Sequence, residues 1–162
     1  MNAITVSVRH MTIPIERPFV EACQRFESRL GKLDYSEFQR HLNLKEPEAA
    51  RAFIRKVEGP LGLMVFGVID HGSLLSLAEK ETEARQYVVG NPLIALQMTS
   101  HDIRAGLYAP LRVFIGEVGK SQSVIEYDLP STLFGQFRNE KVNEVARQLD
   151  EKLAAAVDYV IA

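Results

Sequence analysis

The sequence has little of what identifies several common protein classes. Its one cysteine, Cys23, excludes an internal disulfide framework and a multi-cysteine metal cluster within one chain. Basic and acidic residues number 19 and 21, so the net charge of -2 gives no electrostatic reason to expect nucleic acid or an acidic membrane as partner. No apolar run approaches the ~20 residues of a membrane-spanning helix, and the first 15 residues lack a continuous apolar signal region. We therefore expect a cytoplasmic protein.

Motifs for nucleotides, metals and nucleophilic catalysis are also missing. Gly90 has no companion glycine at dinucleotide-binding spacing, and no Gly-Lys-Ser/Thr phosphate loop occurs. No two histidines stand at a helical zinc spacing. Cys23 falls on the apolar stripe of a predicted helix, where a thiol is usually buried and inert, and no serine lies in a nucleophile elbow. The sequence predicts neither a metal nor a cofactor.

The pattern that is present indicates one α+β domain over residues 1–162. The length suits a single core, and no repeat or linker divides the chain. Predicted strands are joined by hairpins as well as by helices. We therefore expect two layers: a mostly antiparallel or mixed sheet, with helices packed mainly on one face.

Strands are predicted from alternating or continuous apolar residues. Alternation over residues 4–9 predicts a first strand, with His10 on its apolar parity. Leu63–Ile69 is typical of a centrally buried strand, and Ser73–Leu77 fits a further short one. Further along, the sequence predicts a strand at Gln86–Val89 and a hairpin of Leu111–Glu117 with Ser123–Tyr127 around Gly119-Lys120.

Helical spacing predicts the remaining elements. Pro18 opens a helix that Gly31 ends as its C′ residue. Residues 34–58 form two short helices split near Pro47, and residues 140–160 form a long final helix.

The segment Val88–Met98 is the most informative part of the chain. It describes a strand, a tight turn and a helix in which Asn91 is the N-cap and Pro92 the first residue. The start of a helix carries a partial positive charge and free amide donors. A polar pocket for a small polar or anionic ligand is therefore predicted beside Asn91.

Histidines and tyrosines supply the other candidate site residues. His71 follows Asp70, whose carboxylate can orient an imidazole for general acid–base work; the alternative is a turn residue with no catalytic role. His101 follows a helix, where the helix dipole alone can explain it. Tyr108 can add a hydroxyl to a pocket. The predicted ligand-binding set is Asn91, His71, His101 and Tyr108, with His71 the weak catalytic candidate.

Several short motifs resemble the domain-of-unknown-function 302 family. They occur in order across residues 60–155: Gly62–Phe66, Asp70-His71-Gly72, Gly90–Ala95, Met98, His101-Asp102, Tyr108–Leu111 and Tyr127-Asp128. The resemblance implies an α+β domain, paired as a homodimer, without an established reaction. Some members have Cys before the Asn-Pro pair, whereas this chain has Gly90, so thiol chemistry does not carry over to this position.

Three functional hypotheses follow. The first is a homodimeric small-ligand-binding module with its pocket beside Asn91. The second is an enzyme that uses His71 as general acid or base. The third is a structural protein whose exposed strand or apolar helix face pairs subunits.

Overall fold

Six strands form one mixed sheet in the computed structural model, which describes residues 3–162. In chain order the strands are β1 (His10–Ile15), β2 (Gly31–Lys32), β3 (Met64–Asp70), β4 (Ala84–Gly90), β5 (Leu111–Gly119) and β6 (Gln122–Asp128). They lie across the sheet as β1-β6-β5-β4-β3-β2. All neighbours are antiparallel except β2 and β3, which run parallel.

Seven α-helices accompany the sheet within the described residues. They are α1 (Phe19–Ser28), α2 (Tyr35–Asn43), α3 (Pro47–Val57), α4 (His71–Leu75), α5 (Pro92–Thr99), α6 (Pro130–Phe134) and α7 (Glu140–Ile161), with short 3-10 turns at Ser76–Ala78, Ile103–Leu107 and Gly135–Phe137. The predicted α+β class with a mixed sheet is confirmed.

The main core lies between one face of the sheet and the helices α1 and α7. Alternate residues of the central strands point to this face, including Tyr87, Val113 and Ile125, which are fully buried. They pack with the apolar stripes of α1 and α7, represented by Phe26 and Leu153. Apolar residues that alternate along the strands therefore pack in this layer against apolar residues at helical spacing along α7.

A smaller core lies on the opposite face, under the α2–α3 pair. Leu33, Ile54 and Met64 are buried together there. Met64 and Val65 are consecutive in β3, so their side chains point to opposite faces of the sheet, and Val65 packs with the main core. The α2–α3 pair therefore covers one edge of a face that α1 and α7 leave open.

Most predicted elements are confirmed with small changes in their bounds. The split of residues 34–58 at Pro47, the β5–β6 hairpin and the long α7 are all present. Cys23 is 1% exposed on the apolar face of α1, as expected.

The predicted first strand at residues 4–9 is wrong. The first strand is β1, which pairs with β6 from His10 opposite Asp128 to Ile15 opposite Ser123. β6 ends at Asp128 and Pro130 begins α6, so residues 4–9 have no strand left to pair with. Ile4 is 76% exposed, and His10 lies on the exposed parity of β1 rather than on its apolar one.

Two further predictions fail for local reasons. Ser73–Leu77 is not a strand, because Asp70 caps a helical turn by accepting a hydrogen bond from Ser73 N at 2.8 Å. Gly31 does not end α1 as a C′ residue; it lies in β2, where a Cβ would stand 1.9 Å from the Val57 carbonyl oxygen. The strand predicted at Leu63–Ile69 exists as β3, but it is not centrally buried: β2 pairs only with Met64 and Val65, and Val68 and Ile69 are 46% and 47% exposed.

Candidate functional site

The junction of β4 and α5 is held by the side chain of Asn91, which is 4% exposed. Its Oδ1 accepts a hydrogen bond from Leu93 N at 2.8 Å, the predicted helix cap. Its Nδ2 donates to Glu58 Oε2 at 2.6 Å and to the Gly62 carbonyl at 2.9 Å. Asn91 therefore ties the start of α5 to the end of α3 and to the loop before β3.

An apolar cavity of about 180 Å³ opens on one side of this junction. Apolar side chains from α2, β3, α5, the start of β5 and α7 form most of its wall. The lining includes Leu33, Tyr35, Phe38, Phe66, Pro92, Ala95, Met98, Pro110, Leu111 and Leu149. Gly90 keeps the space open, because a Cβ there would lie 3.4 Å from Pro110 Cβ and 3.6 Å from the Phe66 ring.

The side of the cavity formed by α2 is exposed. This helix has no buried residue, and its residue Tyr35 is 61% exposed. The rings of Tyr35 and Phe38 meet edge to face, with their centroids 6.5 Å apart. An aromatic pair on an exposed helix thus forms one wall.

A polar groove of about 520 Å³ lies on the other side of the junction and shares Asn91 and Ile94 with the cavity. Side chains from three helices form it. Its charged and polar lining residues are Arg51, Arg55, Glu58, Gln97, Ser100, Gln148 and Lys152. Lys152 Nζ donates to the Leu61 carbonyl at 2.8 Å, which holds the ammonium group in place.

His71 lies away from both spaces, at the start of α4. Its Nε2 is 3.5 Å from Gln86 Oε1 on β4. The neighbouring Asp70 carboxylate is occupied within its own turn, where it accepts from Ser73 N at 2.8 Å and from Ser73 Oγ at 2.9 Å. These hydrogen bonds hold the pKa of Asp70 below its usual range. Within residues 3–162, no hydrogen bond joins Asp70 to the His71 ring.

His101 and Tyr108 also lie apart from Asn91. His101 is an exposed residue just beyond the end of α5, and its carbonyl accepts a hydrogen bond from Asn139 Nδ2 at 3.4 Å. Tyr108 packs its ring against Phe134 and Phe137, at centroid distances of 6.4 and 6.0 Å. It lines a separate depression, so the structure does not bring the four predicted ligand-binding residues into one cavity.

Apart from Asn91, the side chains that line the two spaces were not predicted as site residues from the sequence. Phe66, Met98 and Leu149 have the spacing of ordinary core residues, and Arg55 and Lys152 have that of a solvated helix face. Nothing in the sequence separates a side chain that lines a cavity from one that fills a core. The available signal was indirect: Gly90, a strand glycine beside the Asn-Pro pair, marks a place where other groups approach closely.

A polar cluster at the border of the main core joins α1 to β4. Tyr87, fully buried, donates its hydroxyl to Glu27 Oε1 at 2.7 Å, and an Arg85 nitrogen lies 3.8 Å from the same oxygen. Burial raises the pKa of the Tyr87 hydroxyl and that of the Cys23 thiol beside it. Both groups therefore stay protonated at neutral pH, which suits packing rather than nucleophilic chemistry.

The open face of the sheet carries a shallow depression of about 310 Å³. His10 Nδ1 lies 2.9 Å from Asp128 Oδ1 and its Nε2 3.6 Å from Glu126 Oε2. The hydrogen bond to Asp128 raises the pKa of His10 above its ordinary value. Arg112 and Phe114 complete this mixed surface.

Within residues 3–162, the His, Cys, Asp and Glu side chains form no group of three or more that is placed to hold a metal ion. None of the helices in this part of the chain is both long and apolar enough to cross a membrane.

Comparison with known proteins places this fold in a family. The family model "Domain of unknown function DUF302" matches residues 38–160. The chain is also similar to the uncharacterized conserved protein DUF302 from Bacillus stearothermophilus, for which a crystal structure is known. The two structures superpose with a TM-score of 0.64, and their sequences are 17% identical. The match covers 93% of this chain and 97% of that one. At that identity the likeness shows the fold alone. No curated protein matches. Because the family model matches well over half of this chain, the chain belongs to the DUF302 family.

Proposed function

We propose that this domain binds a small ligand and that its site is the apolar cavity beside Gly90, Asn91 and Pro92. The observation that carries the proposal is the cavity itself, about 180 Å³ of space with a wall of mainly apolar side chains. Water has few hydrogen-bond partners in such a space, and in another protein an apolar cavity of ~150 Å³ stays dry and takes up benzene. The ligand class that fits is a compact apolar molecule, such as a small aromatic ring or a branched aliphatic chain.

The fixed frame around the cavity supports the same proposal. Asn91 uses both ends of its side-chain amide to lock the junction, so the wall formed by α5 is held before a ligand arrives. A site held in its bound shape loses less conformational freedom on binding. In this proposal Asn91 positions the wall, and the ligand makes its contacts with the surrounding apolar side chains.

The test is binding of toluene to the wild type and to a variant with a filled cavity. Ala95→Met adds a flexible apolar side chain from α5 into the cavity, whereas Ala154→Met adds the same atoms on the exposed face of α7. We expect ligand-detected NMR to show toluene binding to the wild type and to Ala154→Met, and about tenfold weaker binding to Ala95→Met. Equal affinity of all three proteins, or no toluene binding to the wild type, would overturn the proposal.

A second function, self-association, is favoured by the open sheet face. Arg112 lies near Asp128 and Glu126 in the same depression, so the surface carries both signs of charge beside the half-buried Phe114. In the homodimer that we propose, a twofold axis through this depression sets Arg112 of one subunit against the acidic pair of the other. The surface is therefore self-complementary, which supports the homodimer that the family resemblance implies.

Charge reversal tests the homodimer. We expect Arg112→Glu to weaken the dimer in sedimentation equilibrium and the double variant Arg112→Glu with Asp128→Arg to restore it, because opposite charges face each other again. A wild type that stays monomeric at micromolar concentration contradicts this surface. So does a dimer that the single charge reversal leaves unchanged.

General acid–base catalysis by His71 stays a prediction. Its test is the activity of His71→Ala on any substrate that a metabolite screen identifies. Full activity of that variant would remove His71 from a catalytic role.

A further inference from the structure

We infer that the polar groove on the far side of Asn91 is a second binding site and that it takes a small molecule carrying a carboxylate or phosphate group. The groove is separate from the apolar cavity, although Asn91 and Ile94 belong to the walls of both. Its volume of about 520 Å³ lies within the range of ~300–1,000 Å³ that is usual for small-molecule sites.

Charge in the groove is opposite in sign to that of the whole chain. Three cationic side chains line the groove, Arg51 and Arg55 from α3 and Lys152 from α7, with the single carboxylate of Glu58, while the chain has a net charge of -2. Clefts lined by one sign of charge concentrate ligands of the other sign. The local excess of positive charge thus selects an anion.

The single carboxylate is already engaged. Glu58 Oε2 accepts the hydrogen bond from Asn91 Nδ2 at 2.6 Å, and no cation lies within 4.0 Å of Glu58 among residues 3–162. None of the three cations is therefore held in a direct ion pair with Glu58.

The cations differ in how firmly they are held. Lys152 Nζ is fixed by the Leu61 carbonyl, a neutral acceptor that leaves its charge uncompensated. Arg51 has only a loose pair, with its Nε 3.8 Å from the exposed carboxylate of Glu48. Arg55 makes no ion pair or side-chain hydrogen bond within the described part of the chain. A guanidinium of this kind is able to bind two oxygens of a carboxylate or phosphate at once.

Neutral donors complete the groove and indicate that the ligand is more than a bare ion. Gln97 and Ser100 line it from α5, and Gln148 lines it from α7. Amide and hydroxyl groups of this kind bind hydroxyl, carbonyl or amide groups of a ligand. The structure therefore assigns the groove to a small organic anion with further polar groups.

The test is titration with two probes, inorganic phosphate and citrate, followed by amide chemical shifts and calorimetry. We expect at least one probe to shift the amides of α5 and α3 around the groove. Arg55→Gln and Lys152→Gln should each weaken its binding about tenfold, the size expected for loss of a charge-assisted hydrogen bond. Binding of citrate alone identifies the carboxylate as the group recognised, and binding of phosphate alone identifies the phosphate.

Matched controls distinguish a site from general charge attraction. Lys56→Gln on α3 and Arg147→Gln on α7 remove the same charge from the same helices outside the groove. Both controls should keep the wild-type affinity. Equal weakening by the controls, or no binding of either probe at millimolar concentration, would overturn the inference. Toluene binding is measured on the same proteins, so the outcome for the groove is read separately from that for the apolar cavity.

Discussion

The two sides of Asn91 differ in what they offer a ligand, although they share part of one wall. One side is a cavity of mainly apolar side chains, and the other is a groove with three cations and several neutral donors. Two chemical environments meet at one residue because α5 turns one set of side chains toward β3 and β5 and another toward α3 and α7. A short helix with little amphipathic pattern of its own can therefore separate two environments.

The largest effect is expected on stability, from truncating Asn91, whose side chain belongs to the wall that the cavity and the groove share. Asn91→Ala removes the helix cap and both Nδ2 bonds, leaving Glu58 and the Gly62 carbonyl without this donor. We expect a loss of about 2–4 kcal/mol in the free energy of unfolding, measured by urea denaturation.

Asn139→Ala is the matched control for this substitution. Asn139 caps α7 through Lys141 N and Val142 N, at 3.0 and 3.4 Å, without a comparable buried pair of donor bonds. Its loss should cost about 1 kcal/mol. Equal costs at the two positions would show that the bonds to Glu58 and Gly62 add nothing.

A smaller effect is expected from Gly90→Ala, which should change binding in the apolar cavity alone. Gly90→Ala places a methyl group beside Pro110 and Phe66, at ordinary contact distances of 3.4 and 3.6 Å. We expect toluene affinity to fall severalfold, because about one methylene of apolar space is taken. Phosphate or citrate binding in the groove should not change. Parallel losses for both kinds of probe would mean that the two sides do not act separately.

Ionic strength should separate the two sides without any mutation. Raising salt from about 20 to about 200 mM screens exposed charges and should weaken anion binding severalfold. Toluene binding involves no charge and should stay constant or become slightly stronger. Calorimetry on the wild type at both salt concentrations measures the difference, and a salt-independent anion affinity would contradict the electrostatic account.

The smallest effect is expected in the pH dependence of stability. It concerns the open sheet face, away from both the cavity and the groove beside Asn91. Pairing with Asp128 raises the pKa of His10 in the folded chain, so this stabilisation is complete below the unfolded value of ~6.5 and is lost as pH rises through the folded value. The stability difference between wild type and His10→Gln should therefore be larger near pH ~5.5 than near pH ~8.5. Toluene affinity should be the same at both pH values. A stability difference between wild type and His10→Gln that grows with pH would contradict the predicted direction of the effect.

Sequence reasoning succeeded where a local rule decides the structure. The Asn91 cap, the proline at the first position of α5, the β5–β6 hairpin and the α7 stripe each depend on neighbouring residues only. It failed where a local pattern had no partner. Residues 4–9 alternate like a strand, but β6 ends opposite His10, and a strand needs a neighbour for its backbone bonds.

The candidate site was predictable only at its anchor. Asn91 is recognisable in the sequence, whereas Phe66, Leu149, Arg55 and Lys152 come from distant parts of the chain and look like core or solvent-facing residues. His71, His101 and Tyr108 were chosen for their chemistry, and the fold places each of them elsewhere.

By itself the sequence determined the class of this protein: its periodicities, caps and turns set an α+β fold, and its short motifs set the family. The tertiary structure alone decided which side chains surround Asn91, and therefore that an apolar cavity and a basic groove lie on its two sides. The physical reason is the separation along the chain of the residues that interact. Caps, turns and stripes depend on residues within about four positions of one another, whereas a cavity is the space left by six elements that meet only when the sheet has formed.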